Sequence, residues 1–375
     1  ALIAREGAWL RSVADQTPEA ALDNAMLLTS DTPASALRQA KRRVALLTGL
    51  LDLGGVWSTM EATQALTRFA DFAVWQAARP LIAREVAKGN LDAGADDTAG
   101  FCVLAMGKMG AGELNYSSDI DLICLFDETR YAPDDYATAR MAFLRVTKGM
   151  VRTLADVTAE GYVFRTDLRL RPDPSVTPVC IAMEAAERYY ESAGRTWERA
   201  AFIKARACAG DIAAGEAFLD RLRPFKFRRH LDFAAIRDAE EMLDKIRTHK
   251  GLSGKMSVAG HDLKLGQGGI REIEFFAQSR QLILAGRDAS LRGRGTLTVL
   301  AALAAAGRIT PARADLLATS YLRLRDIEHR VQMLDDAQTH TLPKLDTQRQ
   351  KVAALDGQAS LSAFDAEIDA LLREV

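Results

Sequence analysis

Gly107-Lys108-Met109-Gly110-Ala111-Gly112-Glu113-Leu114-Asn115-Tyr116-Ser117-Ser118-Asp119-Ile120-Asp121-Leu122 decides how the chain is read. A glycine-rich turn lets backbone N–H groups close around phosphate oxygens. Beyond it, Asp119 and Asp121 open an apolar run, Ile120 to Phe126, that reads as a core strand. Positions two apart on a strand face the same side, so both carboxylates can grip one hard divalent ion. Unpaired carboxylates at a core strand are costly, and a bound cation removes that cost. Mg²⁺ is the simplest candidate, with Mn²⁺ as the substitute. Phosphate and a divalent ion together point to nucleotidyl or phosphoryl transfer.

A third acid stands further on. Tyr162 to Leu170 alternates like a strand, and Pro172 stops it. A period of two places Asp167 on one face with Arg165, Arg169 and Arg171. A carboxylate beside the aspartate pair completes the cluster that metal-assisted transfer uses. Flanking guanidiniums suit phosphate oxygens. The bland alternative is a salt-bridge ladder along the strand.

Outward from this centre, Phe101 to Met106 reads as a buried strand running into the glycines, and 134–160 as a helix closed by Gly161. Upstream, Ala36–Leu50 and Glu61–Lys88 have helical spacing, with Pro80 as a possible break. The turn cluster from Gly89 to Asp97 marks a boundary. Downstream, helices are expected over Ala182–Ala193, Asp211–Leu222, Phe233–His249, Ile270–Ala285, Thr296–Ala306 and Pro311–Met333. The expected fold is α+β and predominantly helical. An N-terminal helical region (1–97) precedes a nucleotidyltransferase core (98–178) with a small mixed sheet, and a C-terminal helical domain (179–375) follows.

Composition sets limits. The 375 residues are 48% hydrophobic and 26% charged, a globular balance. A formal net charge of −1 gives no broad nucleic-acid footprint. Basic residues nevertheless crowd 165–229, and part of that run is expected to face a phosphate-bearing ligand. The four cysteines form no Cys-x-x-Cys pair, and the five histidines show no zinc-ligand spacing. A reducing, cytoplasmic setting fits, and no apolar stretch is long enough for a membrane span. The first residue is Ala1 and the last, Val375, lies inside a helical pattern, as expected of a piece of a longer protein.

The Gly-x-x-Gly stretch, Ser-x-Asp-x-Asp and a distant strand aspartate together resemble the DNA polymerase β-like nucleotidyltransferase superfamily. Gly107-Lys108 stands where that superfamily has Gly-Ser, which moves the serine role to Ser117 or Ser118. The wording resembles more narrowly the bifunctional glutamine synthetase adenylyltransferase/adenylyl-removing enzyme family. Four further segments agree: Phe164 to Pro172; Gly194 to Arg199 with Lys204-Ala205-Arg206; Gly268 to Phe275; and 335–343. Glu113-Leu114-Asn115-Tyr116-Ser117-Ser118-Asp119-Ile120-Asp121 matches the N-terminal, AMP-removing half. The AMP-adding half reads Glu-Leu-Thr-Tyr-Gly-Ser-Asp-Leu-Asp instead.

The resemblance implies phosphorolysis of AMP-tyrosyl glutamine synthetase, with ADP as product. It implies Asp119, Asp121 and Asp167 as metal ligands. Gly107, Lys108, Gly110, Gly112, Ser117 and Ser118 would cradle phosphate oxygens, and Arg169 and Arg171 would offset charge on phosphate. It also implies the PII signalling protein as a partner and a covalently linked adenylyltransferase half. Trp197 reads as a packing residue, Glu198 and Lys204 belong to a motif of open role, and Glu272 and Glu274 compensate a helix dipole. Two alternatives stay open: the ATP-dependent adding half, and a non-catalytic fragment that docks PII or glutamine synthetase.

Overall fold

The computed structural model describes residues 2–30, 32–92, 97–228, 256–335 and 337–375. The chain forms two compact units, Ala1–Phe225 and Lys226–Val375. The predominantly helical α+β fold expected from the sequence is the one adopted.

The first unit opens with four helices: α1 (Leu2–Ser12), α2 (Pro18–Ala25), α3 (Pro33–Leu53) and α4 (Thr59–Ala87). The start of α4 is fixed by a capping box, in which Ser58 and Glu61 satisfy each other's backbone N–H groups. Pro80 does not break α4. It lies on the exposed face, while Ala73, Val74, Ala77, Ala78 and Ile82 hold the buried face in place. Tertiary packing there outweighs the one lost backbone hydrogen bond.

Next come β1 (Phe101–Ala105), a single-turn helix α5 (Gly107–Ala111), β2 (Ile120–Phe126), α6 (Tyr136–Ala155), β3 (Thr166–Asp167), β4 (Cys180–Ala182), α7 (Met183–Ser192), α8 (Thr196–Ile203), β5 (Arg206–Gly210) and α9 (Ile212–Arg221). The sheet runs β3-β2-β1-β5, with β1 antiparallel to both β2 and β5. One edge of β2 is shared by two short parallel strands, β3 at its start and β4 at its end.

The period of two divides this sheet between two cores. Phe101, Val103 and Ala105, with Ile120, Leu122, Cys124 and Phe126, pack with residues of α3, α4 and α6. Cys102 and Leu104, with Ile123 and Leu125, pack with Tyr190, Phe202, Phe218 and Leu222. Both central strands are therefore apolar, apart from Asp121 near the start of β2, because both faces are covered. All four cysteines are buried free thiols.

Two sequence boundaries shift. The sheet does not end at 178, because it takes in β4 and β5, and the compact unit runs on to Phe225. Strand β4 is three residues long, and β5 (Arg-Ala-Cys-Ala-Gly) has no branched or aromatic residue, so neither shows a strand pattern. The strand expected over 162–170 shrinks to Thr166–Asp167.

In the second unit, α10 (Ile270–Leu284), α11 (Thr296–Ala305), α12 (Pro311–Asp335), α13 (Asp346–Leu355) and α14 (Leu361–Glu374) are described. The helix expected over Phe233–His249 lies outside the described residues. Among the described residues, no helix is long and apolar enough to cross a membrane.

Glu85 ties α4 to α6. Its carboxylate accepts from Arg145 at 2.5 Å, Lys88 at 2.9 Å and Asn90 at 2.8 Å. These partners, Arg145 first, hold its pKa down at about 2. The Glu85→Gln variant should lose stability at pH 7. Arg145 is about half exposed, so screening limits the loss to about 1–2 kcal/mol. A depressed carboxylate pKa stabilises fully above the ordinary value and less as pH falls toward 2. Urea denaturation of both proteins should show a stability gap that is full at pH 6 and narrower at pH 3.

Candidate active site

The acid cluster forms where β3 meets the start of β2. The parallel register sets Asp167 beside Asp121, and Ile120 beside Thr166. Asp119 precedes β2 by one residue and shares the parity of Asp121. One carboxylate oxygen from each of Asp119, Asp121 and Asp167 lies within 4.8 Å of the others. All three side chains are half-buried. Three anions this close repel one another, and a divalent ion with oxygen ligands at about 2.0–2.1 Å resolves that repulsion. The donor set is all-carboxylate and suits Mg²⁺ or Mn²⁺.

Arg169 stands at the rim. It is 84% exposed, and its Nε and Nη2 bind the Asp167 carboxylate at 2.9 and 2.5 Å. Hydrogen bonds from Arg169 are the main cause of a lowered Asp167 pKa, against partial burial. Asp167 is therefore held as an anion, as a metal ligand must be.

The glycine-rich stretch is tighter than a loop. Met106 caps the single turn of α5, and Gly112 ends it with a left-handed φ of +78°. Gly107 has φ +54°, and a Cβ there would sit 2.9 Å from Asp121 Oδ2. Gly110 is pressed against the chain below it, and its Cβ would meet the Lys204 carbonyl at 2.1 Å. Backbone packing thus accounts for Gly110, and proximity to the acid cluster for Gly107. Lys108 and Ser118 are half-buried. Ser117 is buried, and its carbonyl accepts from Arg165.

A family model described as glutamate-ammonia ligase adenylyltransferase matches residues 10–221, which contain the whole acid cluster and more than half of the chain. The chain belongs to the glutamate-ammonia ligase adenylyltransferase family. A second model, GlnD PII-uridylyltransferase, matches residues 239–375. A relative from Bradyrhizobium diazoefficiens, named bifunctional glutamine synthetase adenylyltransferase/adenylyl-removing enzyme, is 52% identical over 338 residues. That match covers 88% of this chain and 34% of the relative. A relative of the same name from Caulobacter vibrioides is 49% identical over 350 residues, covering 92% and 35% respectively. The chain thus spans about a third of the length of these curated relatives.

In this member of the adenylyltransferase family, much of the basic run is spent internally. Arg171 donates to the carbonyls of Leu168 and Pro174, each at 2.8 Å, and to that of Thr177, and so builds the loop after β3. Arg199 donates to the Phe225 carbonyl, and Arg206 holds Asp71 at 2.8 and 2.9 Å. Lys204 forms a buried pair with Glu113 at 3.3 Å. Glu198 accepts from the Arg195 backbone at 2.7 Å, and burial raises its pKa. Trp197, expected to be a packing residue, is 38% exposed and not part of the buried core. In the second unit, Glu272 accepts from the Gly268 N–H at the start of α10, and the buried Glu274 pairs with Arg271.

Sequence reading missed Thr67, Asp71 and Asp52. Thr67 Oγ1 accepts from Leu114 N, and Asp52 accepts from the Tyr116 hydroxyl at 2.9 Å. These contacts join residues 47 and 64 positions apart, and no local pattern signals them.

The Gly107→Ala variant should strain the backbone by about 1–2 kcal/mol and push the Asp121 carboxylate out of place. Isothermal titration with Mn²⁺ should show weaker binding than in the wild type, with the far-UV circular dichroism unchanged.

Proposed function

We propose that this chain removes AMP from a tyrosine of glutamine synthetase by phosphorolysis. The observation that carries the reading is the meeting of Asp119, Asp121 and Asp167 within 4.8 Å, beside the exposed guanidinium of Arg169. The names of the relatives support the substrate, and the Asn115-Tyr116-Ser117-Ser118 wording supports the removing direction.

In this reading an oxygen of hydrogen phosphate attacks the AMP phosphorus. The bond from phosphorus to the tyrosyl oxygen breaks, ADP forms, and the proton of hydrogen phosphate ends on the tyrosyl oxygen. Atoms and charge balance with no oxidant or further reactant. Asp119, Asp121 and Asp167 would hold the divalent ion, which when bound offsets charge on the phosphoryl oxygens. Arg169 offsets charge on the incoming phosphate. Inorganic phosphate is already a competent nucleophile, so positioning and electrostatics carry the rate. In the longer protein, the same reading includes the PII signalling protein and a covalently linked adenylyltransferase half as partners.

Incubating the purified chain with adenylylated glutamine synthetase, phosphate and Mg²⁺ should release ADP. Asp119→Asn and Asp121→Asn should each lower the rate at least about 10³-fold, the scale on which a transition-state charge stabiliser acts, while thermal unfolding stays cooperative. Undiminished release in either variant would overturn the assignment. AMP transfer from ATP without ADP release would instead assign the chain to the adding direction.

A further inference from the structure

The two segments that deliver the acids to the site are tied to each other, and helix α3 is bonded to both. One segment, 156–165, leads into β3 and Asp167. The other, 113–118, leads into Asp119 and β2. Helix α3 holds the first segment near its own N-terminus. Arg38 Nε and Nη2 donate to the carbonyls of Gly161 at 2.9 Å and Asp156 at 3.1 Å. Ser35 donates to the Glu160 carboxylate at 2.9 Å, and Lys41 Nζ lies 3.9 Å from the centre of the Tyr162 ring. The C-terminal end of α3 holds the second segment, where buried Asp52 accepts from the Tyr116 hydroxyl at 2.9 Å.

Arg165 closes the circuit. Its Nη1 donates to the Tyr162 hydroxyl at 2.5 Å, and its Nη2 donates to the carbonyl of Ser117, two residues before Asp119. Two pairs of strand partners, Ile120 with Thr166 and Asp121 with Asp167, hold β3 to the start of β2, beside a bond from Ile120 N–H to the Arg165 carbonyl. A ladder that short has little stiffness of its own. The distance between Asp167 and the Asp119–Asp121 pair must therefore be set from outside the sheet.

We propose that Arg165, together with the Asp52–Tyr116 bond at the end of α3, is a positioning device that sets the spacing of the three carboxylates and hence their affinity for a divalent cation. Neither group touches the reacting atoms. Both act through the backbone that carries Asp119 and Asp167. The inference rests on the reading of those acids as a cation site. It goes beyond that reading by assigning control of the site to the N-terminal helical layer, and it makes α3 a structural part of the active site.

The test is Mn²⁺ binding to the full chain, followed by electron paramagnetic resonance well below the unfolding temperature, with Asp121→Asn as the variant that lacks the site. Arg165→Met should raise the Mn²⁺ dissociation constant about 10-fold, the lower end of what supporting contacts contribute to metal sites. Arg165→Lys keeps the charge and one donor and should recover part of the affinity. Tyr116→Phe removes a single hydroxyl from a half-buried ring, and so keeps the fold, and should raise the constant several-fold, less than Arg165→Met does. In deadenylylation, the Mg²⁺ concentration for half-maximal rate should rise in parallel, while the rate at saturating Mg²⁺ stays near that of the wild type. Wild-type Mn²⁺ affinity in both Arg165→Met and Tyr116→Phe would overturn the proposal and leave the cation site standing. A wild-type chain with no Mn²⁺ site that Asp121→Asn removes would overturn both.

Discussion

The parallel pairing of Thr166–Asp167 with Ile120–Asp121 is the contact on which the site depends. It is only two residue pairs long, yet it brings together acids separated by more than forty positions in sequence. Everything around it works to keep that pairing in register. The second half of the same β2 edge is taken by β4, which stops β3 from extending along it. The β2 strand, which carries Asp121, is locked between β1 and two apolar layers.

Charge is handled in the same way throughout this unit. The run of basic residues over 165–229 does not form one anionic-ligand surface. Instead most of those side chains are consumed by backbone carbonyls and carboxylates, as with Arg171 on its own loop, Arg206 on Asp71 and buried Lys204 on Glu113. A buried pair such as Lys204–Glu113 gains little net stability but costs about 3–5 kcal/mol to break. It lies where the Lys204 backbone presses on Gly110, so it ties the glycine turn to the chain before β5. Arg169 differs from these. Its partner is an acid of the cluster itself, and it remains open to solvent.

The N-terminal helices belong to the site as well as to the fold. Thr67 and Asp71 on α4, and Arg38 and Asp52 on α3, reach the glycine turn, the basic strand β5 and the lead-in segments of both acid strands. The family model begins at residue 10 and so includes this layer. The chain therefore cannot be divided cleanly at the turn cluster near residue 97, although composition changes there.

Local patterns were enough for the elements with strong periodicity and for picking out the acids that the fold brings together. The apolar runs of β1 and β2, the long helices α3, α4 and α6, and Asp119-Ile120-Asp121 next to glycines are all visible in neighbouring residues, because period and spacing are local properties. Asp167 was legible as an acid on an extended segment. That segment was expected to be a nine-residue strand whose arginines share its face, and only two residues pair. Arg171 turns into the loop because three carbonyls there need donors, a demand that no sequence period expresses. Strands β4 and β5, the continuity of α4 through Pro80, and the grip of α3 on both acid segments were decided by tertiary structure alone. They depend on which surfaces happen to be covered and on partners tens to more than a hundred positions away, and that information exists only once the chain has folded.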